Sequence, residues 1–174
     1  TGLPLYRTEY LDHITLDLLK SIAFTIVSND LFLPWRRFEY AGERYFFDRG
    51  YVFEEQFSEN TQGYLDKPLL AYQAPEAAGN IPLLYLSPAI VNDGRQMIIS
   101  PQGVSFMMIS PVGLLQQDVY EIDAVDFRWL LKDQGADSLR FLTALRMNAT
   151  NPFVLPTVHL PTEPQITLVD AGFR

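Results

Sequence analysis

Asp170 closes the alternating stretch Gln165-Ile-Thr-Leu-Val169 and is followed by Ala171 and Gly172. A carboxylate at the end of a strand can orient a base or accept a proton from a nucleophile. A glycine just beyond it lets the backbone turn without crowding the acid. In open α/β sheets, ligands and reacting groups gather at the carboxyl ends of the strands, because loops converge there and helix amino termini point there. An aspartate that only makes a turn has the same local pattern, since Asp beside small residues is common in turns.

Other chemistries are excluded by residue type or spacing. His13 and His159 are the only histidines, so a centre built of several imidazoles cannot form. His13 reads as a surface or partly buried side chain and His159 as a structural residue of a proline-rich stretch. There is no cysteine, which removes disulfides, thiolate metal sites and cysteine nucleophiles, and leaves the redox compartment open. Glu54 and Glu55 are adjacent, and adjacent helical residues do not share a face, so they are no acid–base pair. No serine sits in G-x-S-x-G, and no G-x-G-x-x-G, phosphate loop or zinc-ligand spacing occurs. No cofactor and no metal are expected, and no serine–histidine–aspartate triad can be assembled from recognisable motifs.

The elements that must carry Asp170 follow from composition and periodicity. The 174 residues (19.9 kDa) are 48% hydrophobic and 20% charged, the make-up of a folded domain. A single domain of this size would bury roughly 70% of the surface its unfolded chain exposes. The 13 Lys and Arg against 21 Asp and Glu leave a net charge of −8, which repels a polyanion; nucleic acid is not an expected partner. No apolar run approaches the roughly 20 residues of a membrane-spanning helix. The chain starts at Thr1 without a methionine and stops at Arg174 shortly after a glycine turn, so it reads as a piece of something longer.

Leu11, Ile14, Leu18, Leu19, Ile22, Ala23 and Ile26 recur at helical spacing and predict a helix from Thr8 to Val27. Alternating aromatics from Phe38 to Phe47 around Ala41-Gly42 predict a hairpin, and Asp48 a cap for the helix that follows. Ile81 to Val91 reads as a strand buried on both faces. Asn92-Asp-Gly-Arg95 then makes a hairpin turn, and Met97-Ile-Ile99 returns. Val119, Ile122, Val125, Trp129 and Leu130 predict a helix ending near Gly135. Asp137 or Ser138 should cap another, with Leu139, Leu142 and Leu145 as its buried stripe, ended between Asn148 and Pro152. Four prolines from Pro152 to Pro164 force an extended path into the strand before Asp170. No repeat or linker appears.

Three segments in this order resemble the later part of a patatin-like phospholipase domain. Leu83-Leu-Tyr-Leu-Ser-Pro-Ala-Ile-Val-Asn-Asp-Gly-Arg-Gln-Met-Ile-Ile-Ser100 is similar to the family's buried strand, glycine turn and returning strand. Leu145-Arg-Met-Asn-Ala-Thr-Asn-Pro-Phe-Val-Leu-Pro-Thr-Val158 resembles its helix end, with small residues before a proline and a second proline beyond. Leu168-Val-Asp-Ala-Gly172 looks like its strand carrying the catalytic Asp. Asp48-Arg-Gly-Tyr-Val-Phe-Glu-Glu-Gln-Phe57 and Arg146-Met-Asn-Ala-Thr150 resemble a bacterial branch of large patatin-like proteins. The likeness is close only over Ile81 to Gly172.

The resemblance implies a three-layer α/β sheet with helices on both faces, incomplete in this chain. Residues 1–174 would then be a single partial domain, the C-terminal part of a patatin-like catalytic domain. It also implies a lipid acyl hydrolase that cleaves carboxylic esters with a Ser–Asp dyad and no histidine, Asp170 being the dyad carboxylate, facing a cleft at the end of a strand that belongs to a parallel sheet. Two departures stand out: Ala171 separates Asp170 from Gly172, and the nucleophile elbow and glycine-rich oxyanion loop are absent from these residues. Each missing oxyanion donor removes about 2.7–4 kcal/mol of transition-state stabilisation, so the chain alone is expected to be inert. The implied partners are a lipid or ester substrate and the upstream polypeptide of the same protein. The parent is expected to be bacterial, cytoplasmic or membrane-associated, and to touch membrane to reach a lipid. Strand edges left open by truncation would favour self-association. The competing reading is a non-catalytic binding or scaffold module whose aromatic stretch from Trp35 to Phe57 contacts a partner.

Overall fold

The helical spacing near the start of the chain produces a shorter helix than expected. Asp17 takes a left-handed conformation (φ 55°) that interrupts the helical path, and α1 runs over Leu18–Thr25 before widening into a π turn over Ile26–Asp30. The computed structural model describes residues 12–14, 17–33, 35–40, 43–108 and 124–173. The expected start of the helix at Thr8 lies outside them, as do the turn residues Ala41 and Gly42. The chain groups into two compact units, one of residues 1–66 with 153–156 and one of residues 67–152 with 157–174.

In the first unit the expected hairpin forms. β1 (Arg37–Tyr40) pairs antiparallel with β2 (Glu43–Phe46), with Phe38 opposite Tyr45. Asp48 then caps α2 (Arg49–Asn60): its Oδ1 accepts the Tyr51 N–H at 2.9 Å, satisfying a donor that no helical carbonyl can reach. Phe38 stacks on Tyr51 with ring centroids 3.9 Å apart, which joins hairpin to helix. α1 packs against α2, and the Ser21 hydroxyl donates to Gln56 Oε1 at 2.7 Å.

The second unit is a mixed α/β structure. α3 (Gln73–Ala77) carries the buried Glu76, whose Oε1 accepts the Leu84 N–H and whose Oε2 accepts Gln102 Nε2, each at 3.0 Å. The expected long strand from Ile81 to Val91 is broken. Leu86 forms a bridge with Ile99, through N–H···O bonds of 3.0 and 2.8 Å, and only β3 (Ala89–Ile90) is regular. Pro82 and Pro88 have no N–H to give a ladder, and Leu83 and Tyr85 are exposed.

The turn at Asn92-Asp-Gly-Arg95 is as expected, with Gly94 at φ 78° where a side chain would be strained. Arg95 Nε donates to Asp93 Oδ2 at 2.7 Å and holds that carboxyl below its ordinary value. β4 (Gln96–Ile98) returns antiparallel to β3. Val119 and Ile122 lie outside the described residues. The rest of the helix expected there begins as a strand, β5 (Ala124–Asp126), which pairs parallel with β4. The open edge of β4 supplies ladder partners, and Asp126 then caps the single-turn helix α4 (Phe127–Leu130) by accepting the Arg128 and Trp129 N–H groups. Gly135 sits at φ 78°, as a left-handed residue closing this helical stretch.

α5 (Phe141–Asn148) has no side-chain cap hydrogen bond; the Phe141 N–H goes instead to the Lys67 carbonyl at 2.8 Å. Asp137 is taken by Arg128 Nε at 2.6 Å, and Ser138 donates to the Gly135 carbonyl at 2.7 Å. β6 (Val158–His159) and β7 (Thr167–Val169) follow and pair antiparallel. The sheet has five strands in the order β5-β4-β3-β7-β6. Met97, Ile98 and Ile99 are all buried, as are Leu168 and Val169. Consecutive strand residues point to opposite faces, so both faces of these strands are covered.

Leu142, Ala144 and Met147 of α5 are buried, with Ala144 and Met147 in one cluster with Leu69, Ile90, Met97, Ile99 and Leu168. Leu142→Ala and Leu168→Ala should each lower unfolding free energy by about 2–5 kcal/mol in urea titrations. A loss well under 1 kcal/mol at either position would show that the site is not packed as described.

Candidate functional site

Strand direction decides what meets Asp170. β7 runs antiparallel to β3, β3 antiparallel to β4, and β4 parallel to β5. β4, β5 and β7 therefore point the same way, although β7 has an antiparallel neighbour on each side. Asp170 therefore does not follow a member of a parallel sheet, contrary to the expectation attached to the hydrolase reading. It lies at the end of the sheet to which β4, β5 and β7 all run, with β3 between β7 and the other two.

That end is held by the segment after α5. The Asp170 N–H donates to the Thr150 carbonyl at 2.8 Å, and the Ser87 N–H donates to Asn148 Oδ1 at the same distance. Thr150 is completely buried, and its hydroxyl donates to the Arg146 carbonyl at 2.7 Å. The loop that resembled a helix end in sequence is thus fixed to the base of the candidate site at both Ser87 and Asp170. These two bonds are invisible to periodicity, because one uses an asparagine side chain and both span long sequence separations.

Asp170 itself is half-buried. Its Oδ1 accepts the Gly172 N–H at 2.7 Å, in a short helical turn over Ala171–Phe173. Ala171 therefore does not keep Gly172 from the acid. A Cβ placed on Gly172 would lie 2.9 Å from that same oxygen, so a side chain there must push the carboxylate aside. Among the described residues, Oδ2 has no hydrogen-bond partner. One oxygen is anchored, and the other can accept a hydrogen bond or a proton.

A second serine–carboxylate pair lies at the same sheet end and was missed from sequence. Ser105 Oγ donates to Asp126 Oδ2 at 2.7 Å, and Gly103-Val-Ser105 supplies the first half of a G-x-S-x-G pattern, with Met107 where the second glycine would stand. Asp126 is buried, and its Oδ1 already accepts the Arg128 and Trp129 N–H groups. Three hydrogen bonds make it a helix cap with both carboxylate oxygens already engaged. It is also three strand spacings from Asp170, about 14 Å, too far to share one reacting centre.

Neither histidine reaches Asp170. His159 pairs with Thr167 on edge strand β6, about 10 Å back along β7, and its Nδ1 lies 3.0 Å from Thr167 Oγ1. His13 belongs to an exposed single turn, Asp12–Ile14, in the first unit. Among the described residues no group of three or more His, Asp or Glu is placed to hold a metal. Comparison with protein-family models, with curated proteins and with solved structures finds no match.

The geometry around Asp170 can be checked without turnover. In a crystal structure of Gly172→Ala the Asp170 carboxylate should move by about 0.5 Å or more, out to ordinary contact near 3.5 Å. A carboxylate left in place would show that Gly172 does not shape the site.

Proposed function

We propose that this chain is the later part of a lipid acyl hydrolase of the patatin-like kind, with Asp170 as the carboxylate of a Ser–Asp dyad. The attacking serine belongs to polypeptide upstream of these residues. One observation supports this most: Asp170 lies just past β7 at the edge of the sheet to which β4, β5 and β7 all run, its backbone fixed by Thr150, one oxygen anchored by Gly172 and the other unpartnered among the described residues. The strands buried on both faces support the finer reading of the fold, a three-layer sheet with helices on either side.

In this mechanism the serine hydroxyl gives its proton toward Asp170 Oδ2 as its oxygen attacks the ester carbonyl. Asp170 passes that proton to the leaving oxygen, the alcohol departs and an acyl-enzyme remains; water then attacks the acyl carbon, giving its proton to Asp170, which returns it to the serine oxygen as the acid leaves. The Gly172 N–H keeps the carboxylate in one rotamer through both halves. No imidazole is required, and His159 is remote from the acid. The substrate class is a carboxylic ester of a lipid or a simpler alcohol; nothing at Asp170 selects among phospholipid, galactolipid and short-chain ester.

The test uses p-nitrophenyl esters. The 174-residue chain alone should hydrolyse them at the background rate. In the longer natural polypeptide, Asp170→Asn should reduce kcat by about 10³–10⁴-fold with little change in fold. Ester hydrolysis by the 174 residues that disappears in Ser105→Ala would overturn the assignment and place the chemistry at Asp126.

A further inference from the structure

The inner side of α1 and its π turn is polar where a helix packed on a core would be apolar. Ser21, Thr25, Ser28 and Asn29 recur at helical spacing and so share one side of the helix. Thr25 and Asn29 are buried, and Ser21 and Ser28 are half-buried. All four line a cavity of about 450 Å³, together with Phe47 after the hairpin and Val52 and Gln56 of α2. That volume lies in the range of about 300–1,000 Å³ usual for small-molecule sites. A helix rarely widens into a π turn, and where it does the turn frequently belongs to a functional site. Here the π turn carries Ser28 and Asn29 into the cavity wall.

Hydrogen bonding decides what the wall offers. The Ser21 hydroxyl donates to Gln56 Oε1, and the Thr25 and Ser28 hydroxyls donate to the Ser21 and Phe24 carbonyls at 2.8 and 2.7 Å. With each proton engaged, these three oxygens have only lone pairs left to give. Asn29 is 3% exposed; its Nδ2 donates to the Phe47 carbonyl at 3.2 Å, and among the described residues its Oδ1 has no hydrogen-bond partner. A buried amide oxygen is costly unless something donates to it. Gln56 is engaged at both ends, by Ser21 and by Asn60 Oδ1 at 3.1 Å. The wall is therefore rich in acceptors and suits a ligand rich in donors.

Charge restricts that ligand to a neutral one. Lys20 Nζ lies 3.6 Å from Asp17 Oδ1, so these two lining residues balance, and the Arg36 guanidinium rests 4.3 Å from the centroid of the Phe47 ring. All three are exposed, whereas every buried or half-buried side chain of the wall is uncharged. An ionised group carried into that part would lose its water without meeting an opposite charge. A neutral molecule with several O–H donors meets both conditions, and Phe24, Phe47 and Val52 offer its C–H surface an apolar contact.

We infer that the first unit binds a mono- or disaccharide in this cavity, its hydroxyls donating to Asn29 Oδ1 and to the oxygens of Ser21, Thr25 and Ser28, with a C–H face of the sugar toward Phe24. Binding requires no catalysis and stands apart from the hydrolase reading.

In titration calorimetry with the 174-residue chain, at least one of glucose, galactose, maltose and lactose should bind with a Kd of about 1 mM or tighter. The bound sugar should shift the Asn29 side-chain amide signals in heteronuclear NMR spectra. Asn29→Leu, which removes the unpartnered oxygen, should weaken binding by about tenfold or more, and Thr25→Val, which keeps the shape and removes the hydroxyl, by about threefold or more. Phe24 is 72% exposed, so Phe24→Ala leaves the fold intact and should also weaken binding by about threefold or more, which keeps the test open if Asn29→Leu does not fold. No binding of any of these sugars, affinity undiminished in folded Thr25→Val and Phe24→Ala, or tighter binding of gluconate, choline or adenosine would each overturn the inference. Asp170→Asn should bind the sugar as the unmodified chain does.

Discussion

The reversed direction of β3 is the constraint on which the second unit depends. Only Ala89 and Ile90 are regular, yet they pair with β4 on one side and β7 on the other, both antiparallel. Two reversals restore the original direction, so β7 runs with β4 and β5 without touching either. The tight turn at Asn92-Asp-Gly-Arg95 makes the first reversal, and Asn92 secures the second, accepting the Thr167 N–H and donating to the Gln165 carbonyl, each at 2.9 Å. Asp170 reaches the common carboxyl end because of this short strand.

The helix end after α5 locks that arrangement. Asn148 and Thr150 reach Ser87 and Asp170, at the start of β3 and just past the end of β7. The hydrophobic residues Ala144 and Met147 fix α5 against the buried strands, so packing in the core is transmitted to the position of one carboxylate. A side chain at residue 172 would disturb the last step of that chain of contacts by displacing the Asp170 carboxylate.

The sequence was most legible where a local signal had no competitor. Asp48 capped its helix, Gly94 and Gly135 took left-handed conformations, and the aromatics from Phe38 to Phe47 paired as a hairpin. It misled where tertiary pairing outweighed periodicity. Ala124 to Asp126 became a strand because β4 offered a parallel partner, and the apolar run from Ile81 was broken because two prolines cannot donate to a ladder. Apolar spacing also located α1 without showing which side it would turn outward. Burial of Thr25 and Asn29 depends on Ser21 and Phe47, partners that lie on the helix itself and across the hairpin. The position of Asp170 just past a strand could be read from residues alone. Its bond to Thr150 and the capping role of Asp126 required the fold.

The most direct measurement is labelling with a fluorophosphonate, which reacts with an activated serine hydroxyl, followed by mass spectrometry of the longer natural polypeptide. The label should fall on a serine upstream of these 174 residues and be lost in Asp170→Asn. A label on Ser105 or any other serine of this chain, or labelling that Asp170→Asn leaves intact, would contradict the assignment of Asp170 as the dyad carboxylate.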